Sequence, residues 1–257
     1  MKWEDDAETL FWLRVASWVS AALYGTIIGL TIHRRSYLNR SVFVCLLIFL
    51  VLRTGTWLAH GIDVFVGLPN IMKHALFLVP LGPLFSVFSA IAVALFAVAK
   101  MRPRQGTFRS FQVISNIIIY GIIIASIVAY VVLGDTDLKT DVIGITNLVL
   151  SSIMLLLGTF IAIYAWRAAV KINKYSLNKS MARVVSYRLV VSTLAAAVGF
   201  LGYSTGLVIE GIYFIAEGGF MHSFNAEFTQ TPPIETLYTV LQALCCLSAV
   251  YRRSSPP

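Results

Sequence analysis

The chain has 257 residues, of which 58% are hydrophobic and 12% are charged, and its formal net charge is +8. Soluble domains carry roughly 25% charged residues, so this composition excludes a soluble globular domain, and the abundance of apolar residues excludes a disordered chain. A membrane protein with several spans remains. A basic excess usually suggests a nucleic-acid partner, but in a membrane protein it can instead record orientation.

Seven stretches are long and apolar enough to cross a hydrocarbon core of about 30 Å, which requires about 20 helical residues. In chain order they are Leu10–Ile32, Ser41–Val66, Leu76–Ala99, Phe111–Leu133, Val142–Trp166, Leu189–Ala216 and Ile234–Tyr251. Pro80, Gly82 and Pro83 predict a bend near the start of the third span. The connections are short, so the sequence predicts one all-α, heptahelical membrane domain.

The charged residues divide between the two sides of the predicted bundle. Fifteen of the 20 Lys and Arg residues follow spans one, three, five and seven, and none of the 12 acidic residues lies in those segments. Short connections rich in Lys and Arg stay in the cytosol. The pattern therefore predicts an N-terminus that is outside or luminal and a cytosolic C-terminus, and nucleic acid is not an expected partner.

The connection between spans five and six carries the largest group of basic residues. They are Arg167, Lys171, Lys174, Lys179, Arg183 and Arg188. We interpret this connection as an orientation signal that also attracts anionic lipid on the cytosolic face. A docking surface for a cytosolic protein is the alternative, and phosphorylation would weaken either interaction.

Arg53 is the clearest charged residue at depth. It lies 12 residues from the start of span two, which is about 18 Å along a helix and near the middle of the bilayer. Such a charge must face the bundle interior and find acceptors. Because spans two and seven are commonly neighbours in heptahelical bundles, we predict a contact with Gln242. This contact is either a clamp between helices or part of a ligand or ion site.

A second group of polar residues is predicted on the outer side, at His60, Asp63, His74, Glu210 and His222. Histidines with a carboxylate could bind zinc or respond to luminal pH. The simpler interpretation is a set of interfacial polar residues, so no metal is predicted. Span seven has no lysine for a retinal Schiff base, so no cofactor is expected. Cys45, Cys245 and Cys246 lie within spans, which excludes a luminal disulfide framework.

One stretch is more specific than composition. Arg53 in span two is followed by Pro69, Ile71 and His74 at the opening of span three, and by Pro80 six residues after the histidine. This resembles the plant tobamovirus-multiplication family and its seven-span, orphan receptor-like relatives in animals. Those proteins share an Arg in span two, a Pro-x-Ile-x-x-His run and a proline six residues later.

Two departures from that family lie in span seven. Gln242 stands where the family has Glu, and Cys245 stands where it has proline, so an Arg–amide contact would replace an Arg–Glu pair. The resemblance implies an endomembrane protein of the vacuole or lysosome, structural roles for the matching positions, and no catalysis. It also implies cytosolic partners, since plant members recruit viral replication proteins and animal members are linked to small-GTPase and nutrient signalling.

The sequence thus predicts a receptor-like or scaffolding membrane protein that recruits or regulates cytosolic partners through a basic face, and not an enzyme. The alternatives are a channel or transporter that uses Arg53, a luminal metal-dependent lipid hydrolase, and a subunit of a larger membrane complex. No internal repeat is visible in the sequence, which counts against an inverted-repeat transporter. Span three does not end in an acidic-Arg-Tyr triplet, and span seven does not end in an Asn-Pro-x-x-Tyr run. The sequence therefore does not support coupling to G proteins. The sequence indicates no ligand and no oligomeric state.

Overall fold

A computed structural model of the chain describes residues 7–33, 35, 40–61, 70–100, 105–133, 138–176, 178–187 and 189–191, and also residues 202, 204, 205, 208 and 212. Within these residues the secondary structure is helical, without strands. The helices are α1 (Ala7–His33), α2 (Arg40–Gly61), α3 (Asn70–Leu78), α4 (Leu81–Lys100), α5 (Gln105–Val132) and α6 (Leu138–Tyr175). A further helix, α7, covers residues 179–187.

Five segments of these helices are long and apolar enough to cross a membrane, by length and composition. They are Arg14–His33, Val42–Ala59, His74–Lys100, Ser110–Val132 and Asp141–Tyr175. They overlap the first five predicted spans, so an all-α chain with apolar, membrane-type helices is confirmed for this part. The few described residues of the sixth predicted span are helical. Span seven, Ile234–Tyr251, lies outside the described residues.

Large aliphatic side chains cover the outer surface of these helices. Ile117, Leu156 and Val132 are 65%, 73% and 76% exposed. In water such a surface would be unfavourable, whereas in a bilayer lipid tails cover it. A helix also bonds its own backbone polar groups, which hydrocarbon requires. The five apolar helices therefore fit an integral membrane protein.

Helix α4 lies at the centre of the described bundle. It packs against α2, α3, α5 and α6, while α1 packs against α2. Nine consecutive residues, from Leu81 to Ser89, are buried, so this part of the helix is enclosed on every side. A helix that is apolar all round is expected to occupy such a position. The core is accordingly built around the third predicted span.

The third predicted span is broken into α3 and α4 at Val79 and Pro80, which form a turn. Proline has no N–H group, so Pro80 cannot donate to the carbonyl of Leu76. The Thr56 hydroxyl of α2 lies 3.4 Å from the Leu76 carbonyl oxygen. It also lies 2.9 Å from the carbonyl oxygen of Leu52 in its own helix. The bend predicted from the proline residues is confirmed, and α2 supplies a hydrogen-bond donor at the break.

Helix α6 runs well beyond the predicted end of span five at Trp166. It has 38 residues, or about 57 Å at 1.5 Å per residue, against about 30 Å of hydrocarbon. After residues 176–178, α7 turns back along it. The Ser186 hydroxyl donates to the Ala169 carbonyl at 3.2 Å, and the Ser204 hydroxyl donates to the Ser151 carbonyl at 3.4 Å.

These two hydrogen bonds place Ser186 and Ser204 beside α6 in antiparallel order. The two donors, Ser186 and Ser204, and the two acceptors, Ala169 and Ser151, are separated by the same number of residues, and the order of the acceptors is reversed. The described residues of α7 and Ser204 therefore follow one another along α6 in the opposite direction to that helix. What the sequence presented as a connection between spans is a helical hairpin formed by the end of α6 and by α7, because the helical pattern continues beyond the apolar residues.

Candidate functional site

The bundle has two ends, which we name from the charges of the connections there. The acidic end is where α2 leads into α3 and α5 leads into α6, through connections that contain Asp63, Asp135 and Asp137. The basic end is where α4 leads into α5 and α6 leads into α7. Each end holds one candidate site.

A buried polar network lies toward the acidic end. His74 of α3 is 1% exposed, and its Nε2 lies 3.1 Å from the hydroxyl of Ser126 on α5. The Ser126 oxygen lies 2.9 Å from the Thr146 hydroxyl of α6, which is 2.7 Å from the Val142 carbonyl. Three helices are thus joined by side-chain hydrogen bonds in the interior, where an unsatisfied polar group would be destabilising.

Aromatic stacking completes the surroundings of His74. Its ring stacks on Tyr130 of α5, with centroids 4.9 Å apart and an interplanar angle of 22°. Tyr130 in turn packs with Ile143 and Ile71. Ser126 and Tyr130 follow Ile119 and Ile123 at helical spacing on the buried face of α5. The predicted motif residues Ile71 and His74 therefore contribute to packing between α3 and α5.

Arg53 lies in the interior, as predicted, and is 1% exposed. Its Cζ atom is 5.5 Å from the ring centroid of Phe77 on α3. A desolvated cation–π interaction of this kind contributes about 2 kcal/mol. Thr56, three residues on, contacts the α3–α4 break. Arg53 thus takes part in the contact between α2 and α3. Gln242 lies outside the described residues, so the Arg53–Gln242 contact stays a prediction.

The predicted outer group of polar residues is described only in part. His74 belongs to the buried network, and His60 lies in the last turn of α2. Asp63, Glu210, His222 and the motif residue Pro69 lie outside the described residues. Within the part of the chain that the structure describes, no three His, Cys, Asp or Glu side chains are placed to hold a metal ion.

Aromatic and basic side chains meet where the apolar part of the bundle finishes at the basic end. Phe96 of α4 packs against Phe160 and Tyr164 of α6, with centroids 6.1 and 4.8 Å away. Lys100 Nζ lies 5.7 Å from the Phe96 ring, and Arg167 Cζ lies 5.4 Å from the Tyr164 ring. Aromatic rings next to cations are typical of the boundary between hydrocarbon and water.

The basic hairpin, the described residues 167–176 and 178–187, begins at these aromatic and basic side chains and follows the apolar part of α6. It carries five of the six predicted docking residues, Arg167, Lys171, Lys174, Lys179 and Arg183. Lys171 is half-buried and the other four are exposed. The sixth residue, Arg188, lies outside the described residues. The basic side chains are therefore displayed on helices and not on an irregular loop.

Side chains at the turn secure both helix ends of the hairpin. Lys179 Nζ donates to the Asn173 and Lys174 carbonyls at 3.2 and 3.3 Å, which places a cation at the negative end of α6. Asn178 Oδ1 accepts from the Met181 backbone N–H at 3.1 Å and from the Ser180 hydroxyl at 2.9 Å. This is an N-cap for α7. The hairpin turn is thus held by both of its arms.

Comparison of the chain with protein-family models found no match, and comparison with curated proteins found none either. The resemblance to the tobamovirus-multiplication family therefore stays a prediction. It rests on the motif positions, of which Ile71 and His74 pack against α5 and Pro80 ends α3.

Proposed function

We propose that the protein is a receptor-like or scaffolding multipass membrane protein that binds cytosolic proteins through its basic hairpin. The observation that carries this proposal is the display of five basic side chains on two capped, antiparallel helices beyond the apolar part of the bundle. Helices that are already ordered lose less conformational entropy on binding than a loop would. Such a surface suits protein recognition.

The polar residues at the acidic end support a structural role for that region. His74, Ser126 and Thr146 are hydrogen-bonded to one another and are buried, at 1%, 4% and 7% exposure. Arg53 is packed on Phe77. Side chains engaged in this way stabilise contacts between helices, so we propose no catalytic reaction and no metal or other cofactor.

We further propose seven spans, with the basic end in the cytosol and the N-terminus outside or in a lumen. The charge segregation supports this orientation, and it would place the hairpin against anionic lipid headgroups as well. Single cysteines in a background without Cys45, Cys245 and Cys246 test it in sealed microsomes. A membrane-impermeant maleimide should label Ser180→Cys directly and Glu8→Cys only after detergent is added. The reverse pattern would contradict the orientation.

The proposed membrane is an endomembrane of the vacuole or lysosome, and this is supported only by the family resemblance. Fractionation of cells that produce the tagged chain at low level tests it. Co-migration with a vacuolar or lysosomal marker is expected, whereas recovery with a plasma-membrane marker would contradict the proposal and the resemblance with it.

Affinity capture in mild detergent tests the docking function. Wild-type protein should retain cytosolic partners that the Lys171→Glu/Lys174→Glu variant loses, because the reversed charges repel a complementary acidic surface. Arg35→Glu/Arg40→Glu is the matched control, since it reverses two exposed charges, one between α1 and α2 and one at the start of α2. Equal capture by all three proteins would reject the hairpin as the binding site.

A further inference from the structure

Helix α7 presents an apolar stripe on its outward face. Met181, Val184 and Tyr187 are 46%, 42% and 72% exposed and follow one another at three-residue spacing. Residues three apart share a helix face. Ala182 and Ser186, which are 3% and 4% exposed, lie on the other side of α7, and Ser186 bonds to α6. The stripe is therefore not used for packing within the described bundle.

The Met181 end of this stripe points away from the apolar part of the bundle. By the register of the two hydrogen bonds, Tyr187 is at nearly the same level as Trp166 of α6. Both are highly exposed, at 72% and 63%, and such aromatic pairs mark the membrane interface. Met181 is six residues beyond Tyr187, or about 9 Å along the helix. Met181 and Val184 thus extend away from the membrane.

The two arms of the hairpin that carries the stripe are basic. Lys179 and Arg183 lie on α7 itself, and Lys174 lies on the neighbouring arm; all three are exposed. The sequence from 167 to 188 has no acidic residue. A complementary surface must therefore combine an apolar stripe with acidic flanks, which is the composition of an acidic amphipathic helix.

The direction of α7 argues against a lipid surface as the occupant of the stripe. A helix that binds a membrane through its apolar face lies in the plane of the interface. Here α7 runs antiparallel to α6, and Ser204 lies beside Ser151 in the same antiparallel order. Its outward face consequently points sideways, along the membrane plane, and lipid headgroups reach only the part near Tyr187.

The geometry points to the Met181–Val184–Tyr187 stripe of α7 as the docking site for an acidic amphipathic helix of a cytosolic protein. This inference rests on the proposed function, and it deepens it by naming the face of the hairpin and the chemistry of the partner. The basic side chains attract and orient the partner helix, while the stripe receives its apolar residues.

A designed probe tests the stripe with the full-length chain in nanodiscs of zwitterionic lipid. The probe is a fluorescent 18-residue helical peptide with leucines on one face and glutamates elsewhere, and its anisotropy reports binding. Met181→Ser/Val184→Ser should weaken binding at least about tenfold, because two apolar contacts are lost. Arg183→Glu should weaken it further at low salt. Val170→Ser is the matched control, since Val170 is 52% exposed on the other arm, and it should leave binding unchanged.

Five other results would overturn the inference. Equal weakening by Val170→Ser would show that the loss is not specific to the stripe. An effect of charge reversal without an effect of Met181→Ser/Val184→Ser would show binding by charge alone. Association with phosphatidylserine vesicles that depends on Met181 would make lipid the occupant. Energy transfer between two labelled copies that depends on Met181 would make a second chain the occupant. If no variant or wild-type protein binds the peptide, while Lys171→Glu/Lys174→Glu still abolishes capture of cytosolic partners, the proposed function stands and the stripe is rejected.

Discussion

The two ends of the bundle use polar residues in opposite ways. Toward the acidic end, His74, Ser126 and Thr146 are buried and bond to one another. At the basic end, Lys174 and Arg183 are exposed on a hairpin that continues past the apolar helices. A polar group in hydrocarbon destabilises the protein by several kcal/mol unless it is bonded, whereas water satisfies an exposed one. The buried network is therefore suited to stability, and the hairpin is suited to recognition.

The strongest test of this contrast is truncation of Arg53. Arg53→Ala removes the cation–π contact with Phe77 and leaves a cavity between α2 and α3. We expect a loss of about 3 kcal/mol in the free energy of unfolding, from the lost contact and the cavity together. Unfolding in mixed micelles, titrated with a denaturing detergent and followed by circular dichroism, measures it.

Arg40→Ala is the matched control, because Arg40 begins the same helix and is exposed. It should leave the unfolding free energy within about 0.5 kcal/mol of the wild type. If Arg53→Ala is equally harmless but abolishes a transport or ligand-binding activity, Arg53 is functional, and the assignment of the acidic end to stability is wrong.

Gly82 provides the next largest expected effect, near the break between α3 and α4. A Cβ atom at Gly82 would lie 2.5 Å from Cε1 of Tyr120 on α5, so the ring must move. Overpacking of this size is destabilising by about 2 kcal/mol. Gly82→Ala should therefore lower stability in the same titration, and adding Tyr120→Leu should restore most of the loss.

Gly121→Ala is the control for that experiment, since no atom lies within 4 Å of a Cβ at Gly121. Alanine favours the helix by about 1 kcal/mol relative to glycine, so this change should be neutral or slightly stabilising. A loss of stability with Gly121→Ala that matches Gly82→Ala would show that the loss does not come from the contact of residue 82 with the Tyr120 ring.

Much of the fold could be predicted from the sequence because hydrocarbon imposes simple rules. Length and apolar composition located five helices, and Pro80, Gly82 and Pro83 predicted a bend near the start of the third span, where the helix is interrupted. The end of α6 could not be predicted in the same way. Hydropathy falls after Trp166, but the helix continues to Tyr175, since basic residues form helices as readily as apolar ones do.

The candidate sites were predicted less completely. Burial of Arg53 followed from its depth, but the network around His74 did not, because Ser126 and Thr146 look like isolated polar residues within aliphatic spans. The helical spacing of Ile119, Ile123, Ser126 and Tyr130 was an available signal. The stripe of α7 is not predicted from the sequence. Met181, Val184 and Tyr187 lie among basic residues, and their segment is interpreted as a charged connection between spans.

A smaller effect is expected from the hydrogen bond between His74 and Ser126. A double-mutant cycle of His74→Ala and Ser126→Ala should give a coupling energy of about 1 kcal/mol, because side-chain hydrogen bonds within membranes contribute little more than this. The unfolding titration of the four proteins measures it. Pairing His74→Ala with Ser152→Ala is the control, since Ser152 is exposed and its hydroxyl donates to the Leu148 carbonyl of its own helix. That pair should be additive, and additivity of the first pair would remove Ser126 from the network.

The smallest expected effect on global stability lies in the hairpin, and it separates the two ends most cleanly. Asn178→Ala removes the acceptor for the Met181 N–H at the start of α7. Loss of an N-cap destabilises a helix by about 1 kcal/mol. We expect faster amide exchange in residues 179–187 with an unchanged unfolding titration, because α7 lies outside the apolar core.

Asn178→Asp retains an acceptor, and its α7 amides should exchange as slowly as those of the wild type. If Asn178→Ala instead lowers the global unfolding free energy by the full amount, the hairpin folds cooperatively with the bundle. The order of the hairpin would then depend on the same core as the buried network. A change in the stability of the buried network would consequently alter the order of the basic hairpin.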